Sequence, residues 1–104
     1  MEHIKQGDSY LIPVYIQANG QPLNISDVTE IEFTLGNTSK LYPGKVEYDE
    51  TNNRFLYPLS QEESFLFRPP LVTMDVRVKM LGTNVVGGDR KSIEVIKALS
   101  RQVL

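Results

Sequence analysis

The chain has no cysteine and no tryptophan, and its one histidine is His3. Without cysteine there is no disulfide framework, no thiol nucleophile and none of the common structural zinc sites. A Ser-His-Asp arrangement needs a base, and His3 stands at the start of the sequence, where fixed geometry is hard to hold. No apolar run approaches the roughly 20 residues of a membrane-spanning helix, and Met1 to Gln6 lacks the apolar core of a signal peptide. The expectation is a chain that is cytoplasmic during synthesis and has no membrane partner. A net charge of −2 over 104 residues offers no broad basic field for a phosphate backbone, so nucleic acid is not an expected partner. Hydrophobic residues at 40% and charged residues at 23% are ordinary globular values, and the length suits one domain spanning 1–104.

The stretch Leu71 to Leu81 organises the rest. Val72, Met74, Val76, Val78 and Met80 are apolar, and Thr73, Asp75, Arg77 and Lys79 between them are polar. Strict alternation places the two sets on opposite faces of a strand, whereas a 3.6-residue period scatters the charges around a helix. A face of five apolar side chains requires a second layer.

Tyr10 to Gln17 reads as a strand with Tyr10, Ile12, Val14 and Ile16 on one face. Pro13 cannot donate to a ladder and predicts an edge position or a bulge. Asn19-Gly20 is a turn signal, Ser26-Asp27 suits a turn or a single helical turn, and Glu30 to Leu35 alternates with Ile31, Phe33 and Leu35 inward. Gly36 to Gly44 reads as a loop. Lys45–Tyr48 and Arg54–Leu59 flank Asp49 to Asn53 as a hairpin. Ser60-Gln61-Glu62-Glu63 is a capping box that opens a helix over about Gln61 to Phe67, stopped by Pro69-Pro70. Glu2 to Asp8 is a lead-in or edge strand, Gly82-Thr83-Asn84 a tight turn, Gly87-Gly88-Asp89 a flexible bend, and Ser92 to Val95 the last strand. Lys97 to Leu104 is expected to extend that strand or to form a brief helix. The expected fold is all-β, an immunoglobulin-like antiparallel β-sandwich of about seven short strands with one short helical turn.

Little in this pattern points to catalysis. Glu62 and Glu63 are explained by the first helical turn, which favours acids. Glu47, Asp49, Glu50, Asn52 and Asn53 gather oxygen ligands but lack the spacing of a calcium loop. Gly82, Gly87 and Gly88 have no Gly-Lys-Ser/Thr after them and form no phosphate cradle. No catalytic residue, metal ligand or cofactor is expected. Asp75, Arg77 and Lys79 form a mixed-charge stripe that is either solvated or sets register across a subunit interface. Of the tyrosines, Tyr10, Tyr48 and Tyr57 follow the apolar parity and belong to the core, which leaves Tyr15 and Tyr42 for the surface.

The order of several short motifs resembles the N-terminal domains of tailed-phage and prophage tail or baseplate proteins of the upper baseplate protein type. Gln6-Gly7-Asp8 precedes the first long strand. Gly20, Leu23 and Asp27-Val28 then precede Ile31-Glu32-Phe33. Leu59-Ser60-Gln61-Glu62-Glu63 precedes Val76-Arg77-Val78, and Ile93-Glu94-Val95 closes the domain. Arg68-Pro69-Pro70 departs from the glycine that tends to lead into the central strand in that family. The resemblance implies a non-enzymatic structural module that assembles with copies of itself or with other phage structural proteins, and that ends in a virion. The expected interface combines Tyr10, Pro13, Tyr15 and Gln17 on the first edge, the stripe Asp75, Arg77 and Lys79, and Lys97, Val103 and Leu104 in the tail. The alternative is a small carbohydrate-binding module with a ligand surface of Tyr15, Tyr42, Glu47 and Asp49.

Overall fold

Side-chain alternation carries through into a structure made mostly of strands. The computed structural model describes residues 3–18, 20–82, 84–88 and 90–104. In chain order the strands are β1 (His3–Lys5), β2 (Tyr10–Val14), β3 (Gln17–Ala18), β4 (Gln21–Pro22), β5 (Val28–Leu35), β6 (Thr38–Tyr42), β7 (Glu47–Asp49), β8 (Arg54–Leu59), β9 (Leu71–Met80), β10 (Val85–Gly87) and β11 (Lys91–Ile96). The helical pieces among the described residues are a 3-10 turn at Ile25–Asp27 and a single short helix, α1 (Gln61–Phe65). The all-β class is therefore correct, but the strands among the described residues number eleven rather than about seven.

The larger sheet has the order β1-β11-β9-β5-β6, with β10 also paired to β9; the smaller has the order β2-β8-β7, and β3 pairs with β4. As the Leu71–Leu81 pattern requires, β9 is central, with β5 on one side and β10 and β11 on the other. Its Val72, Met74, Val76 and Val78 are buried beside Ile31, Phe33 and Leu35 of β5, Ile93 and Val95 of β11, and Ile4 of β1. Ile12, Phe55, Tyr57 and Leu59 of the smaller sheet complete the same core. The rings of Phe33 and Phe55 meet across the two sheets with centroids 5.5 Å apart. Burial of each such side chain contributes about 1.5–3 kcal/mol, which makes this face the main source of stability.

Four expectations need correction. The pairing is not wholly antiparallel: β1 runs parallel to β11, with His3 opposite Glu94 and Lys5 opposite Ile96. The chain leaves β1 through Gly7 and enters β2 in the other sheet, so β1 takes its direction from a crossing rather than from a hairpin. Tyr10–Gln17 is not one strand, because its ladder ends at Val14 opposite Phe55, where β8 gives way to the Asn52-Asn53 tip; Gln17 then pairs with Pro22 of β4. Gly36 to Gly44 is not a loop, because Gly36, at φ +61°, begins a two-residue turn that folds β6 back onto β5. Finally, Lys97–Leu104 forms neither strand nor helix. The turn, bend and lead-in expectations that involve Asn19, Thr83, Asp89 and Glu2 fall on residues outside those described.

Candidate interaction surface

Each sheet ends in two edge strands, and an exposed edge offers unpaired backbone groups to other chains. At the ends of the strand orders these are β1 and β6 of the larger sheet and β2 and β7 of the smaller, and the three-residue β10, laddered with β9 alone among the described residues, leaves a further short edge. β1 and β7 have three residues each, too short to template much pairing. The Tyr10 hydroxyl also covers β1 by accepting from the Lys5 amide at 3.0 Å.

The β6 edge is protected differently. Lys40 lies opposite Phe33 in the β5–β6 register, on the face that points toward the core. Its ammonium donates to the Pro58 carbonyl at 2.5 Å and to Glu63 Oε1 at 2.8 Å, and lies 5.0 Å from the centre of the Tyr57 ring. A buried ammonium is tolerated only when its donors are satisfied, and here two acceptors and an aromatic face supply that. The same Glu63 completes the Ser60 capping box by accepting from the Ser60 amide at 2.9 Å, so one carboxylate joins α1 to the edge of the larger sheet. Burial raises the pKa of the Glu63 carboxyl, but the hydrogen bonds from Lys40 and Ser60 outweigh it and leave the pKa below the ordinary value. Burial and the nearby Glu63 charge push the Tyr57 phenol up, and its hydroxyl donates to the Thr38 carbonyl at 3.0 Å.

A group with a lowered native pKa binds its proton more readily in the unfolded chain. Its contribution is therefore complete above the ordinary glutamate pKa and is lost as pH falls through the native value. Glu63→Gln is expected to cost about 1 kcal/mol at neutral pH. The informative reading is the urea midpoint from pH 7 down to about pH 3, which should fall less in the variant than in the parent.

At the opposite flank, Gln6 joins two distant segments. Its buried side-chain amide donates to the Phe67 carbonyl at 2.7 Å and accepts from the Ala98 amide at 3.2 Å, while its own amide donates to the Ile96 carbonyl at 2.9 Å. The next amide, Gly7, donates to the buried Ser64 hydroxyl at 2.8 Å. Gln6-Gly7 and the α1 segment, far apart in sequence, thus form one junction that positions the start of β2.

β2 itself is different. Leu11 lies opposite Pro58 and Pro13 opposite Leu56. Neither proline has an N–H, so both prolines fit the register positions that do not bond across the ladder, and Tyr10, Ile12 and Val14 carry the bonding. Pro13 therefore takes away one outward donor, in keeping with the edge position it predicts. Inward, β2 presents Ile12 and Val14 to the core. Outward, it presents Leu11 (63% exposed), half-buried Pro13 and, just beyond its end, Tyr15 (62% exposed). A strand apolar on both faces is ordinarily covered on both.

Alongside β2 runs an apolar groove of about 410 Å³, bounded by residues 12–17 on one side and reaching Met74, Val76, Val78 and Ile93 of the larger sheet at its floor. Gly88, Arg90 and Lys91 form the other wall. Arg90 and Lys91 thus belong to this groove rather than to the charged stripe of β9.

The other expected site residues are dispersed. The Tyr10 hydroxyl is engaged within the chain and also donates to Asp8 Oδ2 at 3.2 Å. Gln17, exposed in β3, is the exception and stays with Pro13 and Tyr15 in the groove wall. The stripe finds partners on β5, with Glu30 opposite Lys79 and Glu32 opposite Arg77; Arg77 Nε lies 3.8 Å from Glu32 Oε1. Asp75 Oδ1 accepts from the Val76 amide at 3.1 Å. In the tail, Lys97 is exposed, Val103 and Leu104 project outward, and the Leu104 amide donates to Gln61 Oε1 at 3.2 Å. Arg101 lies 6.0 Å from the centre of the Phe65 ring, so the tail runs past α1 rather than past β2.

Tyr42, expected at the surface, is half-buried and packs edge-on against Phe55 with centroids 5.2 Å apart. Asp49 Oδ2 accepts from Asn52 at 2.8 Å and from Arg54 at 2.9 Å, contacts that lower its carboxyl pKa. Glu47 lies exposed at the start of β7. Tyr15 and Asp49 both favour the charge of Arg54 and raise its pKa. Among the described residues, no three His, Cys, Asp or Glu side chains converge as a metal-binding group, and no helix is long and apolar enough to cross a membrane. No family model, curated protein or solved structure matches the chain.

Proposed function

We propose that the chain is a non-enzymatic structural protein of the phage or prophage tail and baseplate type, built as an immunoglobulin-like β-sandwich and working through protein–protein assembly contacts in a virion. The observation that carries the interaction part is β2, an edge strand with apolar residues on both faces and Leu11 and Tyr15 exposed on the outer one. The phage setting rests on the order of the sequence motifs. One of these, Gln6-Gly7-Asp8, meets the short helix that another, Ser60-Gln61-Glu62-Glu63, opens, through the bond from Gly7 to Ser64.

Light scattering after size exclusion, over a wide concentration range, tests self-assembly. A closed oligomer that Leu11→Glu and Tyr15→Glu dissociate is the expected result. A monomer at every concentration removes self-association and leaves assembly with other structural proteins. Specific glycan binding that is lost on Tyr42→Ala would replace the assembly reading altogether.

A further inference from the structure

The groove beside β2 has features that an edge strand alone does not explain. Its floor belongs to the inner face of the larger sheet, where the buried side chains of Met74, Val76 and Val78 close the bottom of the groove. Its described lining includes two cations, Arg90 and Lys91, and no carboxylate. One of its walls is a strand edge whose outward backbone groups lack a ladder partner among the described residues, where β2 pairs with β8 alone. An extended peptide satisfies all three, since its backbone pairs with the edge, one side-chain parity fills the apolar floor and the other reaches the rim.

We propose that this groove docks an extended segment of a partner protein in which apolar residues alternate with acidic ones, the carboxylates meeting Arg90 and Lys91. The proposal rests on the assembly reading and deepens it. Charge separates this partner from a second copy's tail, because Lys97 and Arg101 would bring more positive charge to a basic rim. Pro13 removes one donor from the edge, so pairing there depends on side-chain fit rather than on backbone bonding alone.

The test uses the full chain and two labelled heptapeptides, one alternating glutamate and valine and one alternating lysine and valine. Fluorescence polarisation gives the affinity, and amide shifts in two-dimensional NMR locate the contact. The acidic peptide is expected to bind with shifts centred on residues 12–17 and 90–93, and the basic peptide at least about tenfold more weakly. Arg90→Glu with Lys91→Glu should reverse that order. Arg77→Glu with Lys79→Glu, on the opposite face of the sheet, should leave it unchanged.

Equal binding of both peptides, shifts elsewhere, or no binding at millimolar peptide overturns the docking proposal. So does displacement of the acidic peptide by decanoate with no change in affinity in the Arg90/Lys91 variant, which would mark a small amphiphile site. An oligomer whose mass survives the Arg90/Lys91 reversal, combined with no peptide binding, would defeat the groove proposal but keep assembly. A monomer that binds the acidic peptide would keep the groove and dismiss self-association.

Discussion

Replacing Gly7 with alanine is expected to lower stability by about 2–5 kcal/mol, the sum of left-handed backbone strain and a steric overlap. Gly7 has φ +88°, and a Cβ built on it falls 2.6 Å from Cζ of Phe65, closer than carbon atoms approach without something moving. Phe65 ends α1, whose backbone is held by the capping box and by the Lys40–Glu63 pair, so relief has to come from rotation of its half-buried ring. Gly82 isolates the strain, since it has nearly the same φ, +89°, but nothing within 4 Å of its added Cβ. Gly82→Ala should therefore cost only the backbone part, about 1–2 kcal/mol. Urea melts of the two variants measure the difference directly. Equal losses would show that the overlap with Phe65 relaxes without cost.

The second large effect is expected at Phe55. Its ring is buried and lies 4.9 Å from Tyr48, 5.2 Å from Tyr42 and 5.5 Å from Phe33, so one side chain holds β6, β7 and β8 against β5. Phe55→Ala should cost about 3–5 kcal/mol, through lost transfer free energy and the cavity left behind. Part of that loss is the set of aromatic contacts, each worth about 0.5–1.5 kcal/mol beyond area. Phe55→Leu keeps most of the volume and should cost clearly less. Thermal melts of both variants give the comparison, and similar losses would show that ring contacts, rather than volume, dominate.

The parts that were legible in the sequence are those where one face of one strand decides the residues. Leu71–Leu81 and Glu30–Leu35 alternate because each has a buried and a wet side, and both became strands of the larger sheet. Ser60 and Glu63 define a helix start through contacts three residues apart, and the capping box formed as read. Pro13 marked an edge because a missing N–H has the same meaning in any sheet. What escaped notice depends on distant partners. β6 was hidden because Lys40 breaks the apolar alternation, and its acceptors, Pro58 and Glu63, lie 18 and 23 residues away. The sequence points Tyr42 to the surface because the ring it packs against, Phe55, belongs to a different sheet. The groove was not legible at all, since its walls and floor come from β2, β9 and the approach to β11.

The parallel pairing of β1 with β11 also bears on the order in which the fold closes. Gln6 and Ala98, which bond just past that pairing, are 92 residues apart, whereas the β5–β6 hairpin closes through the two residues between Leu35 and Thr38. Loop closure grows as the logarithm of length, so bringing the ends together costs about 3 kcal/mol more entropy than closing the hairpin. Contacts of that span are made late, after local pairings have shortened the effective loop. β1 is thus expected to lock late, and the Gln6–Gly7 junction joins a long-range closure to the locally paired part of the chain.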